Sequence, residues 1–359
     1  MSNQRYANNS YSFLRHLLAS LVLVSHVFGL SADFGKILIG DFSVGTLAVF
    51  CFFSISGYLV IPGLIVNGIR RYLINRFTRI YPGYLLVIFF TSVVFYPIWR
   101  IQSEYAIFDW DTSSSYFLNN LALFPQSAGD VESSWNSLSG FPFKSVLPSV
   151  VNGSIWTLPL EIGAYLLLCS IFLLRIVLKQ CKFQNILIAT FFIIWGISIY
   201  SAYIYPTLDV IHTSRIEQML TKWPYFLAFI TGSTVRVFNF KKISNIMVWL
   251  IVSLVCMGLN NLLVWALVGS IGLTLLTLKA GDSDAFVNFN QYRDISYGIY
   301  LYHFPIIQTL SGFEVFQYSL GLKMFYTILF TIIFAYASSI LVEVPIQNYV
   351  KKQFDKKRL

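Results

Sequence analysis

Apolar residues in this chain come in long runs broken by short polar stretches. A helix needs about 20 mostly apolar residues to cross the hydrocarbon core of a bilayer. Applied along the chain, that length predicts about ten spans, near 11–31, 43–66, 82–99, 154–174, 184–203, 223–238, 243–259, 261–279, 295–312 and 322–343. The seventh and eighth are separated only by a tight turn at Asn260 and Asn261. The expected fold is therefore all-α: a polytopic membrane protein forming one transmembrane domain over 1–359.

The polar stretches orient the spans. Arg70, Arg71, Arg76 and Arg79 lie between spans two and three, and Arg175, Lys179 and Lys182 between four and five. Arg236, Lys241 and Lys242 follow span six, and Lys351, Lys352, Lys356, Lys357 and Arg358 form the tail. With ten spans, all these cations fall on one side. The positive-inside rule then places both termini in the cytoplasm. The stretch 100–153 falls on the other side, holds more acids than bases and is rich in Ser, Asn, Pro and aromatics (SSWNSLSGFPF). It reads as a long extracytoplasmic loop, either a plain connector or a segment that covers or contacts a sugar.

Composition agrees. Of 359 residues, 56% are hydrophobic and 11% charged, and mean hydropathy is +0.67. Soluble domains carry about 25% charged residues, so a large soluble core is excluded and membrane lipids are the surroundings. The net charge of +9 could suggest a polyanion, but topology accounts for cations in short loops, and no nucleic-acid partner is expected. Cys51, Cys169, Cys181 and Cys256 are scattered without metal-ligand spacing. No P-loop, dinucleotide fingerprint or HExxH helix occurs, so ATP hydrolysis, nicotinamide chemistry and a catalytic metal are not expected. The first apolar run lacks a cleavage site and reads as a retained helix.

Ionisable residues inside apolar runs are the candidates for chemistry, because they are costly there. In FLRHLLASLVLVSHVFGL, Arg15 and His26 are eleven positions apart. That spacing puts them on one helix face, roughly 16 Å apart along the axis. An interfacial anchor and a packing histidine would explain them separately; a cavity lined by both would explain them together. His16 points about 100° away from Arg15 and is the weaker candidate. In RRYLINRFTRIYPGY, Arg76 and Arg79 share a face. They serve either as membrane anchors or as a fork for phosphate oxygens. Glu161, in NGSIWTLPLEIGAYLL, sits roughly 10 Å inside its helix, where it could orient an imidazole, bind a sugar hydroxyl or pair with an arginine. His303, in DISYGIYLYHFPI, lies near mid-depth among tyrosines. Pro305 just beyond it releases a backbone carbonyl that needs a partner. Ser54, Ser56 and Gly57 favour close helix packing. Glu343 is expected to pair with a nearby cation, and His212 is given no role.

These segments together resemble the acyltransferase-3 family of integral-membrane O-acyltransferases. Arg15 to His26 is similar to the family's arginine, ten residues, histidine pattern. FFSISGYLV (52–60) resembles its FF-x-x-SG-x-L segment, RFTRIYP (76–82) its R-x-x-R-I-x-P, and SIWTLPLEI (154–162) its W-S-L-x-x-E. DISYGIYLYHFPI and the later VEVP resemble its closing helices. Thr157 stands where serine is commoner, and His16 where glycine is commoner. No appended hydrolase-like domain is expected after the last helix.

The resemblance implies an enzyme of a bacterial inner membrane. It implies acetyl-CoA as acyl donor from the cytoplasm and a glycan acceptor outside: a surface polysaccharide, lipopolysaccharide O-antigen or capsule sugar. Arg76 and Arg79, with Arg15, would hold the coenzyme A phosphates. His26 would act as general base or transient acyl acceptor, with Glu161 orienting it or binding sugar and His303 in support. A glycan transporter or flippase is the main rival, since it too needs buried charge and a midplane cavity. A sensory membrane protein would leave Arg15, His26 and Glu161 without purpose.

Overall fold

A computed structural model describes residues 9–30, 38–39, 42–102, 110–123, 151–204, 222–239, 246–259, 261–317 and 319–356. His212 and the loop residues 124–150 lie outside them. The described chain is helical apart from a two-residue ladder, β1 (Leu38–Ile39) against β2 (Phe42–Ser43), with Ile39 opposite Phe42. The helices are α1 (Tyr11–Gly29), α2 (Val44–Phe90), α3 (Tyr96–Gln102), α4 (Trp110–Asn120), α5 (Thr157–Val177) and α6 (Phe183–Ile204). They continue as α7 (Trp223–Phe238), α8 (Ile246–Gly258), α9 (Leu262–Gly281), α10 (Ser296–Ser311), α11 (Leu320–Ser338) and α12 (Val344–Lys356).

Each predicted span is helical. Among the described residues, six helical stretches are long and apolar enough to cross a membrane. The shorter α7, α8 and α10 fall below that length. Along the six long stretches, large apolar side chains such as Ile193, Phe325 and Leu341 remain exposed, which suits hydrocarbon and not water. This is a multi-pass membrane protein.

Two expectations change. Spans two and three are not joined by a loop: helix runs from Val44 to Gln102, broken only at Gly68. Gly68 has φ 73° and ψ 172°, a region essentially confined to glycine. Arg70, Arg71, Arg76 and Arg79 therefore sit on helix, not in a connector. The outer loop also differs, because α4 lies antiparallel along α2. Ser113 Oγ donates to the Ser92 carbonyl (2.9 Å), Tyr84 OH to that of Asn120 (2.6 Å) and Tyr81 OH to that of Leu121 (3.2 Å). Hydropathy assigned 110–121 to water because its polar residues outnumber its apolar ones, yet Ser113 bonds across to the neighbouring helix while Ser114 and Asn120 bond back to their own backbone.

The chain forms two compact units. The first comprises residues 1–18, 38–72 and 160–293. Its core is a glycine crossing of α2 and α7: a Cβ on Gly57 would strike the Phe229 carbonyl, and one on Gly232 the Ser54 carbonyl. Ser233 Oγ closes the crossing by donating to the Gly57 carbonyl at 3.0 Å. The second unit comprises residues 19–37, 73–159 and 294–359. Its core is α10, in which every residue except Tyr297 is buried, as expected of a helix without a polar face. α10 packs on α11 where Gly298 meets Ala335.

Candidate active site

The second unit brings together two of the histidines singled out by sequence. His26 Nδ1 lies 2.7 Å from His303 Nε2, and the rings are nearly parallel, with centroids 5.0 Å apart. His303 Nδ1 is 2.9 Å from the Ile299 carbonyl, one turn back on α10. A carbonyl only accepts, so the Nδ1 of His303 carries the proton and its Nε2 the lone pair. His26 Nδ1 then donates to that lone pair, which leaves the free lone pair of His26 on Nε2. Hydrogen-bond polarity thus runs from a backbone carbonyl through two neutral imidazoles to one basic nitrogen. His303 is fully buried and His26 half-buried, so His26 is the member a substrate can reach.

The turn before α5 supplies the surrounding shell. Ser154 Oγ is 3.2 Å from His303 Nε2, and Thr157 Oγ1 is 2.7 Å from Tyr300 OH, whose ring meets His303 edge-on. The carbonyl released by Pro305 is that of Leu301, four residues back. Asn152 Nδ2 donates to it at 3.0 Å, while Asn152 Oδ1 accepts from the Ser154 amide. Asn152 therefore removes a buried unsatisfied acceptor, which would cost about 1–3 kcal/mol, and aims Ser154 at the imidazole. Phe304 packs edge-on against His26 and within 2.5 Å of where a Gly153 Cβ would stand, so residue 153 must be small.

The arginines of the R-x-x-R segment are also in this unit. Arg79 Nη2 forms an ion pair with Asp294 Oδ2 at 2.8 Å, and its guanidinium sits over the Tyr297 ring, 6.0 Å from the centroid. Asp294 Oδ1 accepts from the amide (3.1 Å) and hydroxyl (2.6 Å) of Ser296, fixing the start of α10. One carboxylate thus ties α2 to the helix that carries His303. Arg76 is half-buried three residues away. Glu343 accepts from Ser338 Oγ at 2.7 Å, and the cation whose charge acts on it is Arg79.

The other candidates belong to the first unit. Glu161 Oε1 accepts from Tyr165 OH and, at 3.4 Å, from Ser56 Oγ. Ser56 and Tyr165 lie 3.2 Å apart. Arg15 is half-buried on α1. His16 Nδ1 meets the Ser12 carbonyl at 2.8 Å and its ring packs on Phe289, a packing role. Among the described residues, no group of His, Cys, Asp and Glu is placed to hold a metal ion.

Sequence reasoning missed Asn152, Ser154 and Asp294 in the second unit, and Asp282 in the first. Asp282 accepts from Tyr11 OH at 3.1 Å and from Tyr58 OH at 3.0 Å. The available signals were the Asn-Gly-Ser turn ahead of Trp156 and an aspartate two residues before a helix start.

Comparison with known proteins identifies the family of the chain. A family model described as an acyltransferase domain matches residues 8–344. An O-acetyl transferase of Shigella phage Sf6 is 25% identical over 327 residues, covering 85% of this chain and 86% of that protein. No solved structure matches the chain significantly. A match over nearly the whole length leaves one conclusion: the chain belongs to the acyltransferase-3 family and is an acyltransferase.

Proposed function

We propose that this acyltransferase is an O-acetyltransferase that moves the acetyl group of acetyl-CoA to a hydroxyl of a surface polysaccharide, lipopolysaccharide O-antigen or capsule sugar. It would work from a bacterial inner membrane, with ten spans, both termini in the cytoplasm and the acceptor on the outer side. The observation that carries this reading is the polarity of the imidazole pair. With His303 holding the Nδ1 proton of His26 in place, His26 Nε2 removes the proton of the acceptor hydroxyl as its oxygen attacks the thioester carbonyl. The C–S bond then breaks, coenzyme A leaves as thiolate, and the proton held on His26 passes to it. A neutral imidazole, which can take up a proton on one nitrogen and return it, suits this exchange.

Arg76 and Arg79, with Arg15, take the phosphates of the donor. In Arg79 the guanidinium is already oriented by Asp294, so a phosphate approaches a fork held ready. Glu161 binds a sugar hydroxyl or steers the base. The resemblance to an O-acetyl transferase supports acetyl as the transferred group, and the family supports acyl transfer over glycan transport.

The test is a membrane assay with labelled acetyl-CoA and a glycan extract. Label should enter glycan with the parent chain and fail to enter with His26→Ala at equal protein level. Normal labelling by His26→Ala would remove the base from the mechanism, and glycan movement without coenzyme A release would replace the enzyme with a transporter.

A further inference from the structure

We propose that a basic cleft in the first unit, distinct from its carboxylate networks, binds the phosphate headgroup of an anionic membrane phospholipid. The cleft, of about 710 Å³, is lined by Arg175 at the end of α5, Lys179 and Lys182 in the turn to α6, and Arg236 at the end of α7. No acid lines it, and none of the four cations is in an ion pair among the described residues. Like charges gathered in a concave site raise the local potential and draw in a counter-anion.

Two of the cations are held by aromatic rings. The Arg175 guanidinium lies 6.0 Å from the Phe172 centroid and that of Arg236 5.0 Å from the Tyr58 centroid. Arg236 Nη1 also donates to Tyr58 OH at 3.3 Å. The nearby carboxylate, Asp282, stands behind Tyr58 and accepts from it and from Tyr11, so it does not enter the cleft. A rigid guanidinium backed by a phenol and two flexible ammonium groups make a phosphate-binding set: the fork fixes orientation and the lysines add charge.

The remaining wall decides between a lipid and a soluble anion. Ile65 and Val66 line the cleft from α2, and Val66 is 74% exposed. Val177, in the last turn of α5, is exposed to the same degree. Apolar side chains this bare beside a cation cluster fit a ligand with a charged head and a hydrocarbon tail. The setting agrees, because α5 and α6 are both long enough to span and the turn joining them marks a membrane surface. Basic pockets between helix ends at that surface take anionic headgroups.

The experiment uses the purified full chain in detergent, with native mass spectrometry of added dioleoylphosphatidylglycerol against dioleoylphosphatidylcholine. The parent should retain the anionic lipid over the zwitterionic one. The triple variant R175Q/K179Q/K182Q should lose that retention by roughly tenfold or more, while R175K/K179R/K182R keeps it. Retention should also weaken as salt rises. Unchanged melting of the triple variant in lipid-free detergent establishes that the fold survives; should it melt early, K179E alone is read in its place. Equal retention of the two lipids by the parent, or full retention by the charge-removed variant, overturns the proposal. Displacement of the anionic lipid by millimolar inorganic phosphate or coenzyme A would assign the cleft to a soluble phosphate and overturn it equally. None of these readouts depends on acyl transfer, so failure here is separate from failure of the catalytic reading.

Discussion

The two units place polar groups inside apolar helices in opposite ways. In the second, two imidazoles form a chain with one direction, running from the Ile299 carbonyl through His303 to a lone pair at His26. In the first, two carboxylates are each wrapped by hydroxyl donors: Glu161 by Ser56 and Tyr165, Asp282 by Tyr11 and Tyr58. A carboxylate has only acceptors to offer, so the donors around it fix its place without giving it a direction for proton transfer. An imidazole has one of each, so satisfying one nitrogen sets the other for proton transfer. The contrast teaches that burying a polar group is common to both units, whereas only the imidazole pair carries a directed hydrogen-bond chain.

The strongest way to break this contrast is His26→Ala, expected to lower acetyl transfer by about 10²–10⁴-fold, the usual contribution of a general base. The measurement is label incorporation at matched protein level. Next comes Gly57→Ala in the scaffolding unit. Its Cβ would occupy the Phe229 carbonyl, so the crossing must open, at about 1–3 kcal/mol or more. A lower melting temperature in detergent is the expected sign; a parent-like melt would mean the two helices slide apart at little cost.

A sharper probe is His303→Gln, which should lower kcat by roughly 10–100-fold and leave the KM for acetyl-CoA near the parent value, because His303 acts through His26. An equal loss in kcat and a rise in KM would instead mark it as a substrate contact. Asp294→Asn frees Arg79 from a partly exposed pair, worth about 1 kcal/mol at most. It should change the KM for acetyl-CoA by a few fold, and less than Arg79→Ala does. Smallest of all is Ser56→Ala. A 3.4 Å contact to Glu161 is a weak hydrogen bond, so transfer should stay within about twofold of parent; a large loss would move Ser56 from scaffold to chemistry.

Much of this was legible along the chain. Hydropathy located the long apolar helices, since the bilayer demands about 20 apolar residues wherever a span occurs. Isolated ionisable residues within those runs pointed to His26 and His303. Pro305 announced an orphaned carbonyl, although nothing local said that Asn152 would answer it. Where the reading failed, it failed on pairing. It named no carboxylate partner for Arg79, which Asp294 supplies, and residues 110–121 looked like a watery loop until α4 was seen along α2.

By itself, then, the order of residues determined the membrane-embedded helical class and the set of side chains too polar to be idle in lipid. Only the tertiary structure decided which of them meet. His26 and His303 are 277 positions apart, and local propensity carries no information over that distance. Their contact exists because an all-round apolar α10 must be buried, and burying it delivers one imidazole to the other in a single orientation.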